Sequence, residues 1–497
     1  MELENLQEKC GIFGCVAANP WPSDLETANI ISMGLVGLQH RGQESAGIVT
    51  STGEESLYHH RGMGLVNQLF DVETLTKLNG NLGIGHTRYS TVGASERTNC
   101  QPFIVESTYG QFAVAHNGEL VNGSILKKKI LQQGIGLSSG TDSEVITQIL
   151  CQTPKCGEPY GVNWPSRIQH LMLQTQLAYS LVILSNDKIY AVRDPYGNRP
   201  LCLGYLCNQN RKSTASLSEE NDFTKHVGYV ISSESCVFGS IGAELNREVL
   251  PGEIVEVDRN GFKSCGIVPR NQGNPAFCIF EYIYFSRPDS FLEGQQVNAV
   301  RFRCGEQLAR ESSIEADVVS GVPESATAAA LGFSKQSGID YMEVLTRNRY
   351  VGRTFIQPSK HLRKIGVIKK FGFLQENFSG KRVILIDDSI VRGNTIAPLV
   401  SELKKFGAKE VHLRIASPPI KHPCYMGINI PTEDELIFNT VGSADILAKE
   451  LGADSLQYLS VEGLNKAVLE GIKNKNPNDI GHCNACLTGK YPVVPQF

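Results

Sequence analysis

Residues 383–395 read VILIDDSIVRGNT, and this stretch decides how the second half of the chain is built. An apolar run ends in two adjacent acids, a short loop of Ser, Arg, Gly, Asn and Thr follows, and a helix-like pattern begins near Ile396. A strand that feeds a helix N-terminus presents free backbone N–H groups and the positive end of the helix dipole, which suits the 5′-phosphate of a sugar. Gly393 lets the backbone approach closely. Asp387 and Asp388 repel a phosphate, so they serve ribose hydroxyls or a Mg ion bridging to pyrophosphate. A generic helix cap needs one acid and not this whole string.

Working outward, the neighbouring apolar segments ADVVSGVP, KRVILIDD and EVHLRIAS alternate with helical patterns such as NTIAPLVSELKKFGA. That alternation predicts an α/β unit with a doubly wound parallel sheet. Polar residues Arg270 to Asn274 read as a linker, and before them the chain changes character. CGIFGCVAA, FAVAHNGEL, SLVILSNDKIYAVRD, VGYVISSES and PGEIVEVDRNGF read as strands closed by turn residues, with helical patterns only near Glu26–Gln39 and Asp142–Leu150. Residues 10 to about 262 therefore read as an α+β unit rich in antiparallel sheet. The polar stretch Asn208–His226 reads as a loop within it.

A chain of 497 residues exceeds one ordinary core, so two domains and an appendage are expected. Hydrophobic content of 41% and charged content of 20% describe a globular protein. A formal charge of -4 lacks the basic excess of a nucleic-acid binder. No apolar run approaches a membrane span, and MELENLQEK at residues 1–9 has no apolar signal core, so a cytoplasmic location is expected. The 14 cysteines then argue against a disulfide framework and invite a catalytic or metal-binding role for a few. Cys483 and Cys486 have a C-x-x-C spacing suited to two thiolates on one metal, with two further ligands to come from elsewhere.

Cys10 opens CGIFGCV, and GLQHRGQESAGI from Gly37, GIGHTRYST from Gly83, HNGEL from His116 and GTDSE from Gly140 follow it in order. Together these segments resemble the class II glutamine amidotransferases, whose fold is the four-layer, antiparallel N-terminal nucleophile type. The resemblance implies that Cys10 is the nucleophile and that Asn117 and the backbone N–H of Gly118 form the oxyanion hole. It also implies that Arg88 takes the glutamine α-carboxylate and Asp142 the α-amine. Removal of residues 1–9 as a propeptide would give Cys10 a free α-amine of pKa about 7.7 to 8, able to act as its own general base.

The 383–395 pattern resembles the phosphoribosyl pyrophosphate (PRPP) loop of type I phosphoribosyltransferases. With IFEYIYFSRPDS from Ile279, VPESAT from Val322, NRYVGRTFIQP from Asn348 and ASPPIKHPCYMGINIP from Ala416, essentially the full chain resembles the glutamine PRPP amidotransferase family. The resemblance implies a glutaminase domain over 10–265, a phosphoribosyltransferase domain over 275–470 and a tail over 471–497. The implied reaction moves ammonia from glutamine to PRPP, giving 5-phosphoribosylamine, pyrophosphate and glutamate, at the start of purine synthesis. Ser325, Asp387 and Asp388 would serve Mg–PRPP, and Ser389, Arg392, Gly393, Asn394 and Thr395 the 5′-phosphate. Arg349 and Arg353 would lie on a loop that closes over PRPP. Cys278 and Cys424 would join Cys483 and Cys486 around a structural 4Fe-4S cluster, with zinc on the same four ligands as the rival. Purine nucleotide inhibitors and a homotetramer are further implications. A regulator that binds PRPP or nucleotides without catalysis is the competing class; such a protein would be expected to lose Cys10, Asp387 or Asp388, and all three are present.

Overall fold

The computed structural model describes residues 10–54, 56–89, 96–154, 157–159, 161–208, 226–348, 369–428, 430, 432–473 and 480–494. The leader 1–9, most of the 208–226 stretch, and Arg349 and Arg353 lie outside the described residues.

The first half contains β1 (Gly11–Ala17), β2 (Ser45–Ser51), β3 (Leu57–Met63), β4 (Leu82–Arg88), β5 (Phe103–Ser107), β6 (Gly110–Gly118) and β7 (Tyr179–Leu184). It continues with β8 (Ile189–Arg193), β9 (Cys202–Cys207), β10 (His226–Ser232), β11 (Ala243–Glu248), β12 (Glu253–Asp258) and β13 (Gly261–Ile267). These strands make a seven-stranded antiparallel sheet, ordered β11-β9-β10-β1-β4-β2-β3, and a six-stranded one, ordered β13-β12-β8-β7-β6-β5. Strand alternation sends Ile12 and Val16 of β1 into the core between the sheets, against Ala113, Val182 and Val255. Phe13 and Cys15 point the other way, to Ile31 and Leu35 of the helix Thr27–Gly37. On the far side, helices Gly123–Gln132, Asp142–Cys151 and Trp164–Gln174 cover Phe112, Val114, Leu181 and Ile183. Helix, sheet, sheet and helix give the four layers expected of an N-terminal nucleophile fold. Because both faces of each sheet are covered, strands such as β1 and β7 are buried at every position.

Exposed coil at residues 271–274 leads to the second half. Its strands are β14 (Phe277–Cys278), β15 (Phe291–Leu292), β16 (Gln295–Gln296), β17 (Val318–Gly321), β18 (Leu345–Arg347) and β19 (Phe371–Phe373). After them come β20 (Arg382–Asp387), β21 (Glu410–Ile415), β22 (Ser455–Tyr458) and β23 (His482–Cys483). Four of them form a parallel sheet in the order β17-β20-β21-β22. Val383 and Leu385 of β20 pack with Leu399 and Leu403 of helix Ile396–Lys405, while Ile384 and Ile386 pack with Leu308, Phe333 and Leu464 on the opposite face. Cover on both faces explains the unbroken VILI run. β20 is an inner strand, so the loop after Asp387 opens at the carboxyl edge where ligands of such sheets bind. Among the described residues no helix is long and apolar enough to cross a membrane.

Two candidate active sites and a cysteine centre

Strand pairing assembles the first site. β1 and β4 are antiparallel neighbours with Gly11 opposite Thr87, which puts Cys10 beside Arg88. β6 ends at Gly118, and the Asp142 carboxylate accepts the Leu120 N–H at 2.8 Å, drawing the start of helix Asp142–Cys151 onto that strand end. Cys10, Arg88, Gly118 and Asp142 thereby line one small cavity. Cys10 is 6% exposed and has φ of +73°, a conformation that costs a non-glycine residue about 1–3 kcal/mol and persists only where the surroundings impose it. Asn117 is fully buried, and neither its side-chain nitrogen nor its oxygen has a hydrogen-bond partner among the described residues. Such an amide costs about 1–3 kcal/mol in an apolar core and is poised to bond a ligand.

A hydrogen-bonded network backs this wall. Gln101 accepts the His116 backbone N–H at 2.8 Å through Oε1 and donates to Ser143 Oγ at 3.0 Å through Nε2. His116 Nδ1 lies 2.9 Å from the same hydroxyl, and His86 Nε2 lies 3.1 Å from the His116 carbonyl. Burial pushes the His86 pKa down to about 3, so at neutral pH His86 is uncharged and donates from Nε2. The motifs contained both histidines, but nothing in their spacing disclosed this support.

The second site follows β20. Asp387 and Asp388 are each 8% exposed, the Asp388 N–H donates to Asp387 Oδ1 at 3.0 Å, and Ser389 Oγ donates to Asp388 Oδ1 at 2.7 Å. Burial and the neighbouring Asp388 charge push the Asp387 carboxyl well above its usual range. Burial also raises Asp388, against the opposing pull of hydroxyl donors Ser325 and Ser389 and of Arg301. Two adjacent buried acids favour a shared proton or a cation. Gly393, with φ of +74°, lets the loop turn where a side-chain Cβ would stand 2.7 Å from Ile437 Cδ1. Asn394 and Thr395 complete the loop, and Thr395 makes no side-chain cap on the helix it precedes. Arg392 donates to Glu435 Oε2 from Nε and Nη2 at 3.1 and 2.7 Å, so its guanidinium is engaged beside the loop.

Cys278 and Cys483 face each other in the parallel β14–β23 pair. The Cys486 carbonyl accepts the N–H groups of Lys421 and His422 at 2.9 and 3.0 Å, bringing the Cys424 loop to the same place. Burial pushes the Cys483 thiol up to about 12 and raises Cys278 and Cys486 as well. The charges of the other cysteines add to each shift, so all four thiols are electrostatic neighbours. Among the described residues no three His, Cys, Asp or Glu side chains converge on a position for one metal ion, here or at Asp387–Asp388. No disulfide forms among the described cysteines.

Charges buried between the halves tie the two sites into one body. Arg41, 1% exposed, pairs with Glu234 and donates from Nη2 to Glu281 Oε2 of the second half at 2.7 Å. Arg199 Nη1 reaches Glu281 Oε1 at 3.4 Å, and its Nη2 donates to the Met426 carbonyl at 2.9 Å. Against the upward push of burial, Arg41 and His40 hold the Glu234 carboxyl well below its usual range. Sequence reading missed these residues because their partners lie in the other half of the chain.

Residues 86–221 match the glutamine amidotransferase domain family. The amidophosphoribosyltransferase of Mus musculus is 57% identical over 100% of both chains. The chain belongs to the amidophosphoribosyltransferase family. Among solved structures, the glutamine PRPP amidotransferase of B. subtilis complexed with ADP and GMP matches this enzyme at 40% identity and a TM-score of 0.83, over 98% of each chain. A second, described as the allosteric regulatory enzyme of purine biosynthesis, matches at 40% identity and a TM-score of 0.84, over 98% of this chain and 97% of its own. Glutamine-dependent amidotransfer to PRPP, a step of purine biosynthesis, is this enzyme's reaction.

Proposed function

We propose that the enzyme divides its reaction between the cavity at Cys10 and the loop after β20, and that ammonia passes between them. The observation that carries this reading is the convergence of Cys10, Arg88, Gly118 and Asp142, dispersed in sequence, on one cavity. Arg88 clamps the α-carboxylate of glutamine and Asp142 its α-amine. The Cys10 thiol, deprotonated by the free α-amine that removal of residues 1–9 creates, attacks the side-chain amide carbon. Asn117 Nδ2 and the Gly118 N–H stabilise the oxyanion as the protonated amine returns its proton to the departing nitrogen. Water then hydrolyses the thioester to glutamate.

At the second site Ser389, Arg392, Gly393, Asn394 and Thr395 hold the 5′-phosphate, and Arg349 and Arg353 close over the substrate. Ammonia attacks the anomeric carbon as pyrophosphate leaves, and the new C–N bond gives 5-phosphoribosylamine after loss of a proton. Ser325, Asp387 and Asp388 would hold Mg, and the raised carboxyl pKa values at this pair fit a cation partner. When bound, Mg supplies charge neutralisation for the leaving pyrophosphate. Exclusion of water by the closed loop keeps ammonia from becoming ammonium.

Cys278, Cys424, Cys483 and Cys486 would hold a 4Fe-4S cluster. Cys278, Cys483 and Cys486 are buried and the half-buried Cys424 adds to the upward shift of each, a grouping that fits a thiolate-binding centre, with zinc on the same four ligands as the rival. Amidotransfer moves no electrons, so its role is to fasten residues 483–486 to β14. Purine nucleotide inhibition, a homotetramer and a cytoplasmic location complete the proposal.

N-terminal peptide mass spectrometry on anaerobically purified protein, paired with pyrophosphate release from PRPP, tests the division. A chain beginning at Cys10 and active with glutamine and with ammonia is expected. A chain retaining residues 1–9 with full glutamine activity would refute the amine-base mechanism. Iron and sulfide analysis against zinc decides the cysteine centre.

A further inference from the structure

The turn that carries the proposed oxyanion donors is touched by the other half of the molecule. Gly118 has φ of +130°, and a Cβ at that position would stand 2.1 Å from the Ala178 carbonyl oxygen of its own half. Ala178 and Glu119 exchange backbone hydrogen bonds of 2.8 and 2.9 Å, which fixes this side of the turn. On the other side lies Gly427, from the ASPPIKHPCYMGINIP segment that follows β21. Its φ is +99°, and a Cβ there would come 3.0 Å from the Glu119 nitrogen and 3.3 Å from the Gly118 carbonyl carbon. Backbone is therefore packed on backbone across the two halves, at the peptide next to the proposed N–H donor.

The contact is held from two directions. Arg199, buried in the first half, donates to the Met426 carbonyl at 2.9 Å, while the Met426 N–H donates to Cys424 Sγ at 3.3 Å. A guanidinium donating to a carbonyl is a charge-assisted bond, stronger than a neutral pair, so the peptide entering Gly427 has little freedom to withdraw. We propose that Gly427 is a positioning residue of the synthase half, pressing the Gly118–Glu119 turn into the geometry that stabilises the glutaminase oxyanion. The proposal rests on the reading of Asn117 and Gly118 as the oxyanion donors. A methyl group added at Gly427 would have to displace this turn or distort its own backbone, because the atoms it meets are main chain. Relieving contacts of 3.0 and 3.3 Å takes a shift of a few tenths of an ångström, and since a misplacement near 1 Å costs up to about 100-fold in rate, this smaller one is expected to cost about 3- to 10-fold.

Gly427→Ala, Arg199→Lys and, as a control on the underlying reading, Asn117→Ala are compared with the parent enzyme in glutamine-dependent and ammonia-dependent synthesis. For Gly427→Ala we expect glutamine-dependent kcat to fall about 3- to 10-fold with the glutamine KM changed less than about 2-fold, since an oxyanion contact acts in the transition state. Ammonia-dependent synthesis should stay within about 2-fold. Arg199→Lys, which keeps the charge and loses the fork, should shift the same ratio in the same direction, and it decides the matter if Gly427→Ala does not fold. Unchanged glutamine kcat, or parallel loss with both nitrogen donors, overturns the positioning role. If Asn117→Ala leaves kcat intact, the oxyanion assignment itself fails; if Asn117→Ala lowers kcat and Gly427→Ala does not, only the proposal about Gly427 fails.

Discussion

The cavity at Cys10 is backed by a wall in which Gln101, Ser143 and His116 bond one another beside an uncharged His86, whereas the loop after β20 holds two carboxylates that repel each other. Behind the first, burial keeps His86 uncharged, because ionising it inside the sheet sandwich is expensive. In the second, burial has been imposed on charge, and the Asp387–Asp388 pair is comfortable only with a proton or a cation beside it. The difference follows the substrates. A glutamine amide needs pre-aimed dipoles, since charge develops on it only in the transition state; a pyrophosphate brings its charge with it and must be met by cations.

The largest effect that would break this division is at the nucleophile. Cys10→Ala should lower glutamine-dependent synthesis by roughly 1000-fold or more and leave the ammonia-dependent rate intact, read as pyrophosphate release with each donor. Loss of both rates would mean that the sites are not separable. Asp387→Asn should lower both rates together, by about 100-fold; a rate that falls with glutamine alone would remove this acid from the PRPP site.

Acid sharpens the comparison, because the two regions titrate with opposite sign. His86 has a folded pKa of about 3, below its unfolded value, so its contribution to stability is present above pH 6.5 and is lost as pH falls towards 3. Unfolding of the parent should therefore become about 2 kcal/mol easier at pH 5 than at pH 7 through this residue alone, and His86→Gln should flatten that difference in denaturant titrations. The Asp387–Asp388 pair has folded pKa values above the unfolded ones, so its contribution is present at low pH and is lost as pH rises. The smallest effect follows from it. Mg should raise the melting temperature by a few degrees at pH 8 and by less at pH 6, where protons compete for the same oxygens, and Asp388→Asn should abolish the shift. An equal shift at both pH values would detach the pair from cation binding.

How much of this was legible in sequence depended on how far the chemistry was spread. The loop from Asp387 to Thr395 is contiguous, so strand, acids, glycine and helix start could be read in one pass, and the parallel sheet came with them. The antiparallel half was legible as strands with a few helices. Helices Gly123–Gln132 and Trp164–Gln174 were not foreseen, because the first buries only Leu126 and Ile130 among polar neighbours, and in the second the buried Trp164, Ile168, Leu171 and Met172 are interleaved with Pro165, Ser166, Gln169 and His170. The cavity residues were found through motif resemblance, while their convergence depended on the register of β1 with β4 and of β6 with β7. The contacts between halves, Arg41 with Glu281 and Gly427 with Glu119, had no local signature at all. Arg392 was expected at the phosphate, and its pairing with Glu435 is a local competition that no linear pattern could announce.

The short parallel pair β14–β23 has a consequence for synthesis on the ribosome. Residues 276–278 bond Tyr196 and Asn198 of the first half on one side and Gly481 and Cys483 on the other. The first half can close its sandwich as soon as β13 emerges, but the seam at β14 lacks one wall until roughly two hundred further residues have been translated. At ordinary elongation rates of about 5–20 residues per second, that leaves a window of ten seconds or more with Phe277 and Cys278 uncovered. Chaperone capture of the nascent chain should concentrate in that window.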